Sequence, residues 1–244
     1  METLMHTCCA PCSVSCIRQL REEGIEPVSF WYNPNIHPYQ EYKARRDTLM
    51  AYAPAIGMKL IVREDYGLRD FCRAVCGDID HRCGRCYHIR LWETARYAAE
   101  HGYGSFTSTL FVSPYQNHEL LRQTAEEAAE AYGVAFLYRD FRPGFRAGQQ
   151  EARERGFYMQ KYCGCIFSEE DRYMAAKRKK KAARAALEGQ KVLAEKGIQS
   201  VVLREEPFVE AADTLDFKAH LMIWMPGWFN RKTEIRTFTC EKPE

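Results

Sequence analysis

No stretch of this 244-residue chain approaches the roughly 18 consecutive apolar residues of a membrane-crossing helix. Its start shows no basic region leading into an apolar one, so neither a membrane partner nor export is expected, and the expected location is cytoplasmic. A strong excess of one charge is also lacking, since 35 Lys and Arg face 33 Asp and Glu. Overall charge therefore announces no nucleic-acid partner, and a polyanion would have to be met by a local patch. Internal repeats are absent, and the one low-complexity run is Lys177-Arg178-Lys179-Lys180-Lys181.

Cysteine, by contrast, is abundant. Eleven are more than packing requires, and most sit in short spacings. In a reducing compartment such clusters are metal ligands or catalytic thiols more often than disulfides. The first group, Cys8, Cys9 and Cys12, falls where an opening strand turns into a helix. A helix start presents free N–H groups and partial positive charge, which stabilises thiolates.

Strand and helix patterns alternate five times in about 140 residues. Strands are expected near 1–4, 27–32, 59–62, 105–112 and 134–138, with helices over 13–24, 39–53, 66–97 (interrupted at 77–84) and 118–132. This predicts an α/β fold, a parallel sheet of about five strands covered by helices on both faces. Ligands of such sheets bind beyond the carboxyl ends of the strands. A long charged helix is expected over 169–196. Residues 1–184 are read as the catalytic metal-binding domain and 185–244 as a small C-terminal extension, with further strands near 200–203 and 219–225. The aromatic segment Trp224 to Phe229 is expected to dock on the core.

Seven cysteines form three groups: Cys8, Cys9 and Cys12, then Cys83 and Cys86, then Cys163 and Cys165. A structural zinc site needs four ligands and would leave three over. An iron-sulfur cluster also takes four, so seven suit a cluster plus a second open metal position, or a cluster plus catalytic thiols. The spacing alone leaves zinc, cluster and thiol redox chemistry open. Gly164 would let the backbone wrap a metal closely. Cys16, Cys72 and Cys76 read as core packing, and Cys240 as incidental.

In order along the chain, His6-Thr7-Cys8-Cys9-Ala10-Pro11-Cys12, Tyr32-Asn33-Pro34-Asn35-Ile36-His37-Pro38, Arg82-Cys83-Gly84-Arg85-Cys86-Tyr87, Ser113-Pro114-Tyr115-Gln116-Asn117-His118 and Tyr162-Cys163-Gly164-Cys165 resemble the cobalamin-independent epoxyqueuosine reductases of the QueH type. Ser108-Thr109-Leu110 and Asp140-Phe141-Arg142-Pro143-Gly144-Phe145 strengthen the match, which covers residues 1 to about 184. The resemblance implies an adenine-nucleotide-hydrolase-like (HUP) sheet whose phosphate loop has given way to cysteines. It also implies an iron-sulfur enzyme that reduces the epoxide of epoxyqueuosine at wobble position 34 of tRNA to give queuosine.

On that footing the expected cofactors are a [4Fe-4S] cluster on Cys8, Cys9, Cys83 and Cys86 and an adjacent iron ion near Cys12, Cys163 and Cys165. The expected partners are the tRNA anticodon loop carrying epoxyqueuosine and an external low-potential electron donor. Cys12, Tyr115 and His118 are the expected catalytic residues. Asn33, His37, Arg85 and Tyr87 are expected to meet the modified nucleoside, and Lys177, Lys179, Lys180 and Lys181 the phosphates. Plainer roles compete with these: turns for the asparagines, a helix cap for His118, packing for Tyr87 and a solvated face for the lysines. Two other functions are weighed, a zinc-stabilised RNA-binding module without catalysis and an ATP-dependent tRNA enzyme of the pyrophosphatase-loop type. The opening loop argues against the second, because it lacks the glycines that let backbone N–H groups cradle phosphate.

Overall fold

The computed structural model describes residues 2–195. By its contacts the chain forms two compact units, Met1–Tyr173 and Met174–Glu244. The extension expected beyond 195, with its strands, Trp224 to Phe229 and Cys240, lies outside the described residues.

The first unit is built on five parallel strands: β1 (Thr3–His6), β2 (Pro27–Trp31), β3 (Leu60–Val62), β4 (Ser105–Ser108) and β5 (Ala135–Phe136). Their spatial order is β3-β2-β1-β4-β5. Successive connections run outward from β1 in one direction and then from β4 in the other. Right-handed crossovers therefore put α1 (Ala10–Glu22) and α5 (His118–Tyr132) on opposite faces. The switch point lies between β1 and β4, whose register pairs His6 with Ser108. Buried on both faces, β1 has no exposed residue, and Leu4 and Met5 anchor the core.

The remaining helices are α2 (Tyr39–Ala55), α3 (Leu68–Val75), α4 (Arg82–Glu100), α6 (Phe145–Glu154) and α7 (Ile166–Glu195). Expected and observed elements agree closely, with three informative differences. The fourth strand stops at Ser108 instead of reaching 112. Ser108 Oγ accepts the Leu110 N–H at 3.1 Å, diverting the backbone from the ladder into a 3-10 turn over Thr109–Val112. The fifth strand shrinks to Ala135–Phe136. Helix α6 occupies a stretch with no assigned pattern, and it lies so close to α1 that a Cβ on Gly148 would stand 2.9 Å from Ser15 Oγ.

Among the lone cysteines, Cys16 is buried as expected, its thiol 3.2 Å from Cys12 O. Cys76 is exposed and Cys72 half-buried, so that pair is not core packing: α3 turns only Phe71 and Val75 fully inward.

Candidate metal centre

The first cysteine group forms where β1 ends and α1 begins. Cys9 is the N-cap residue, in extended backbone, and Pro11 follows early in the helix where its missing N–H costs nothing. Cys8, Cys9 and Cys12 are all buried, and their sulfurs lie within 4.8 Å of one another. The Cys8 and Cys9 sulfurs are 3.8 Å apart. A tetrahedral ion with metal–sulfur bonds of about 2.3 Å sets its sulfurs about 3.8 Å apart, so this group has the size of a single-metal site. A buried three-cysteine group that could hold a metal is thus present.

The thiols are electrostatically unequal. Cys8 is held well below the ordinary thiol range by hydrogen bonds from Cys12 and Cys9, with Arg90 and Thr109 assisting. Burial pushes Cys9 up, and bonding to Cys8 pushes Cys12 up. Without metal the group carries its negative charge on Cys8, and a bound cation would displace the protons of the other two. Thr109 serves Cys8 twice: its hydroxyl accepts the Cys8 N–H at 3.1 Å and donates to the sulfur at 3.4 Å. The turn that ended β4 early creates this contact.

The other four cysteines approach from the far side. Cys83 and Cys86 lie in the first turn of α4, and Cys163 and Cys165 in the loop before α7. Burial raises the thiol pKa of Cys83 and lifts Cys86 to about 12, and in both the charges of Cys163 and Cys165 add to the rise. Cys86 and Cys165 also share a small apolar cluster with Phe71 and Val75. No three of these four sulfurs come as close as those of the first group. A cuboidal cluster holds its thiolates farther apart than a single ion does.

Arg90 joins the two groups. It is 2% exposed, and its Nη1 stands 3.8 Å from Cys86 Sγ. Its Nη2 donates to Asn33 Oδ1 at 2.9 Å and its Nε to His6 Nε2 at 3.3 Å. Burial keeps His6 neutral, at about 3. The described residues offer Arg90 no carboxylate. Burial opposes its charge, and the neighbouring sulfurs of Cys86, Cys8 and Cys163 hold its pKa up regardless. A buried cation given sulfurs and no carboxylate by the described residues suits a site whose thiols would be deprotonated by a bound metal.

The loop carrying Cys163 is moored to the loop after β2. Arg45, buried and paired with Glu41 at 2.6 Å, donates to Cys163 O at 2.9 Å and Tyr162 O at 3.0 Å. The Tyr162 hydroxyl reaches His37 O at 2.6 Å, and His37 N–H reaches Gly164 O at 2.8 Å. Gly164 has φ +149°, and a Cβ there would meet Arg45, Asn35 and Ile36 at 3.3 Å. Here the glycine permits close approach of protein to protein, where the sequence suggested a wrap around metal.

A cavity of about 600 Å³ opens beside the sulfurs, lined by Cys8, Cys12, Cys163, Thr109, Tyr115, Gln116, Gln160, Lys161, Tyr162 and Arg172, among others. Tyr115 stands at it, 85% exposed. Other expected contacts sit elsewhere. Asn33 is buried, donating to Thr7 O at 2.9 Å, and His37 is buried with Nε2 on Pro34 O at 3.0 Å. Tyr87 is buried, and its hydroxyl is bonded within the protein. His118 bonds Ser113 O at 3.0 Å, and the cap of α5 is Asn117, whose Oδ1 accepts the Leu120 N–H at 3.1 Å. Arg85 is exposed. Lys177, Lys180 and Lys181 are exposed on α7 in the second unit, and the Lys179 side chain lies outside the described part. Missed by the sequence reading are Arg45, Arg90, Thr109, Gln116 and Gln160. Thr109 and Gln116 lie within motifs quoted for the resemblance, and the four-residue spacing from Cys86 to Arg90, which places both on one helix face, could have flagged Arg90.

Comparison with known proteins agrees with this geometry. A family described as epoxyqueuosine reductase QueH matches residues 3–171. Epoxyqueuosine reductase QueH of Dehalococcoides mccartyi is 37% identical over 170 residues, covering 70% of this chain and 93% of that protein. The Thermotoga maritima protein of the same name is 34% identical, covering 68% of this chain and 88% of its own. That of Haemophilus influenzae is also 34% identical, over 69% and 71% respectively.

Proposed function

Because the chain belongs to the epoxyqueuosine reductase QueH family, we propose that it reduces the epoxide of epoxyqueuosine, carried at wobble position 34 of tRNA, to give queuosine. The observation that supports this reading is a cavity lined by Cys8, Cys12, Cys163 and the buried Arg90, whose Nη1 stands 3.8 Å from Cys86 Sγ and which the described residues give no carboxylate.

Removing an epoxide oxygen to leave an alkene takes two electrons and two protons and releases water. Ordinary side chains supply no such electrons. Iron and sulfide, when bound, would supply single electrons and a Lewis-acid position for the oxygen, with an external low-potential donor replenishing them.

The seven cysteines divide by spacing. Cys83, Cys86, Cys163 and Cys165 are the better set for a [4Fe-4S] cluster, and Cys8, Cys9 and Cys12 for an adjacent iron ion, with Cys12 facing the cavity. This regroups the expected ligand sets, in which Cys8 and Cys9 joined Cys83 and Cys86. What supports the regrouping is the close packing of the first three sulfurs and the influence of Cys163 and Cys165 on Cys83 and Cys86.

The remaining residues bind and exclude water. The cavity suits one modified base. Tyr115 offers a ring for stacking and a phenol proton at its rim, and Lys161 and Arg172 offer charge to flanking phosphates. His118, bonded to Ser113 O, steadies the loop that bears Tyr115. Lys177, Lys179, Lys180 and Lys181 contribute further phosphate contacts. Among the described residues no helix is long and apolar enough to cross a membrane, and we place the reaction in the cytoplasm, where tRNA is.

The test is anaerobic incubation of the iron-loaded protein with epoxyqueuosine-containing tRNA and a low-potential reductant, followed by nucleoside analysis. Queuosine is the expected product. No queuosine at full iron and sulfide occupancy overturns the proposal, and colourless protein holding only zinc would point to a binding module without catalysis.

A further inference from the structure

Gln116 stands between a tyrosine and a cysteine sulfur. The Asn117 backbone N–H donates to Tyr87 Oη at 3.2 Å. Tyr87 Oη lies 2.7 Å from Gln116 Oε1, and Gln116 Nε2 lies 3.4 Å from Cys163 Sγ. The chain of bonds runs in one direction, with the phenol oxygen accepting from Asn117 and donating to Gln116. A backbone N–H can only donate, so the phenol oxygen receives it and the single phenol proton passes to the Gln116 oxygen. With that oxygen committed to Tyr87, the carboxamide turns its NH2 toward Cys163.

We propose that Tyr87 and Gln116 are positioning residues for Cys163: the oriented amide donates to its sulfur and raises the reduction potential of the centre that Cys163 ligates. This rests on the proposed function, which makes Cys163 a ligand. An N–H···S bond strengthens as electron density on the sulfur grows, so it stabilises the reduced form more than the oxidised one. Tyr87 follows Cys86 directly, so the relay also ties the α4 ligand segment to the loop of Cys163. Such outer contacts orient ligands and tune metals.

The experiment uses the full chain reconstituted anaerobically with iron and sulfide, with redox titrations of wild type, Gln116→Leu, Tyr87→Phe and the double variant. At the wild-type midpoint, Gln116→Leu should lower the reduced-to-oxidised ratio about tenfold, equal to about 59 mV for one electron. Tyr87→Phe, which keeps the ring and its packing, should produce a smaller fall in the same direction. The double variant should match Gln116→Leu alone, because the hydroxyl acts only through the amide. Iron and sulfide per chain should not change. Additive shifts, unchanged ratios in both single variants, or loss of iron and sulfide from Tyr87→Phe would each overturn the relay. A wild-type chain that retains no iron and sulfide would instead bring down the functional reading beneath it.

Discussion

Arg90 and Cys86 lie one helical turn apart on α4, with the guanidinium Nη1 3.8 Å from the sulfur. Since the described residues give Arg90 no carboxylate, its charge and that of the loaded centre depend on each other. Arg90→Met should cost the iron-loaded chain about 3–5 kcal/mol of stability. The metal-free chain, whose thiols can take up protons, should lose less. Denaturant melts of both forms test this, and equal losses would refute the pairing.

Ligand division is separable by elemental counting. Cys83→Ser and Cys86→Ser should lower both iron and acid-labile sulfide. Cys9→Ser and Cys12→Ser should lower iron while sparing sulfide. Sulfide loss of the same size in all four variants would reject two distinct centres.

Gly164→Ala tests the mooring of the Cys163 loop. At φ +149° a Cβ is strained and meets Arg45, Asn35 and Ile36 at 3.3 Å. The expected cost is about 1–3 kcal/mol in unfolding experiments, with weaker iron retention. An unaffected melting curve would show that the loop tolerates a side chain there.

His37 makes stability depend on acid. Burial lowers its pKa from the ordinary 6.5 to about 4. As pH falls below 6.5 the unfolded chain takes up this proton first, so stability declines down to about pH 4 and this contribution then levels off. The full span is about 3 kcal/mol. Replacing His37 with glutamine should flatten the pH profile of unfolding by one proton in that window, and an unchanged slope would contradict the shift.

The order of strands and helices was legible because period and punctuation are local properties. Two differences arose where a side chain or a neighbour overrode them. Ser108 turned its strand into the bend that brings Thr109 to Cys8. Gly148 let α6 pack on α1 with little apolar patterning of its own. The closeness of Cys8, Cys9 and Cys12 was readable because their spacings are short. Where the later cysteines stand was not, since it depends on how the 162–165 loop docks. Arg90 was invisible for a similar reason: an arginine in a charged helix reads as solvent-facing until the sheet that buries it is known. Tyr87 was expected to meet the modified nucleoside, with packing as the plainer role, and its hydroxyl is bonded inside the protein.

The mooring of residues 162–165 on Arg45 also sets a schedule. During synthesis the loop that carries Cys163 and Cys165 emerges some 150 residues after Cys8, Cys9 and Cys12, and it needs α2 and the segment after β2 already in place to dock. The cavity beside Cys8 and Cys12, which Tyr162 and Cys163 also line, is therefore completed late in the making of each chain. A nascent chain halted before Tyr162 would lack that wall of the cavity.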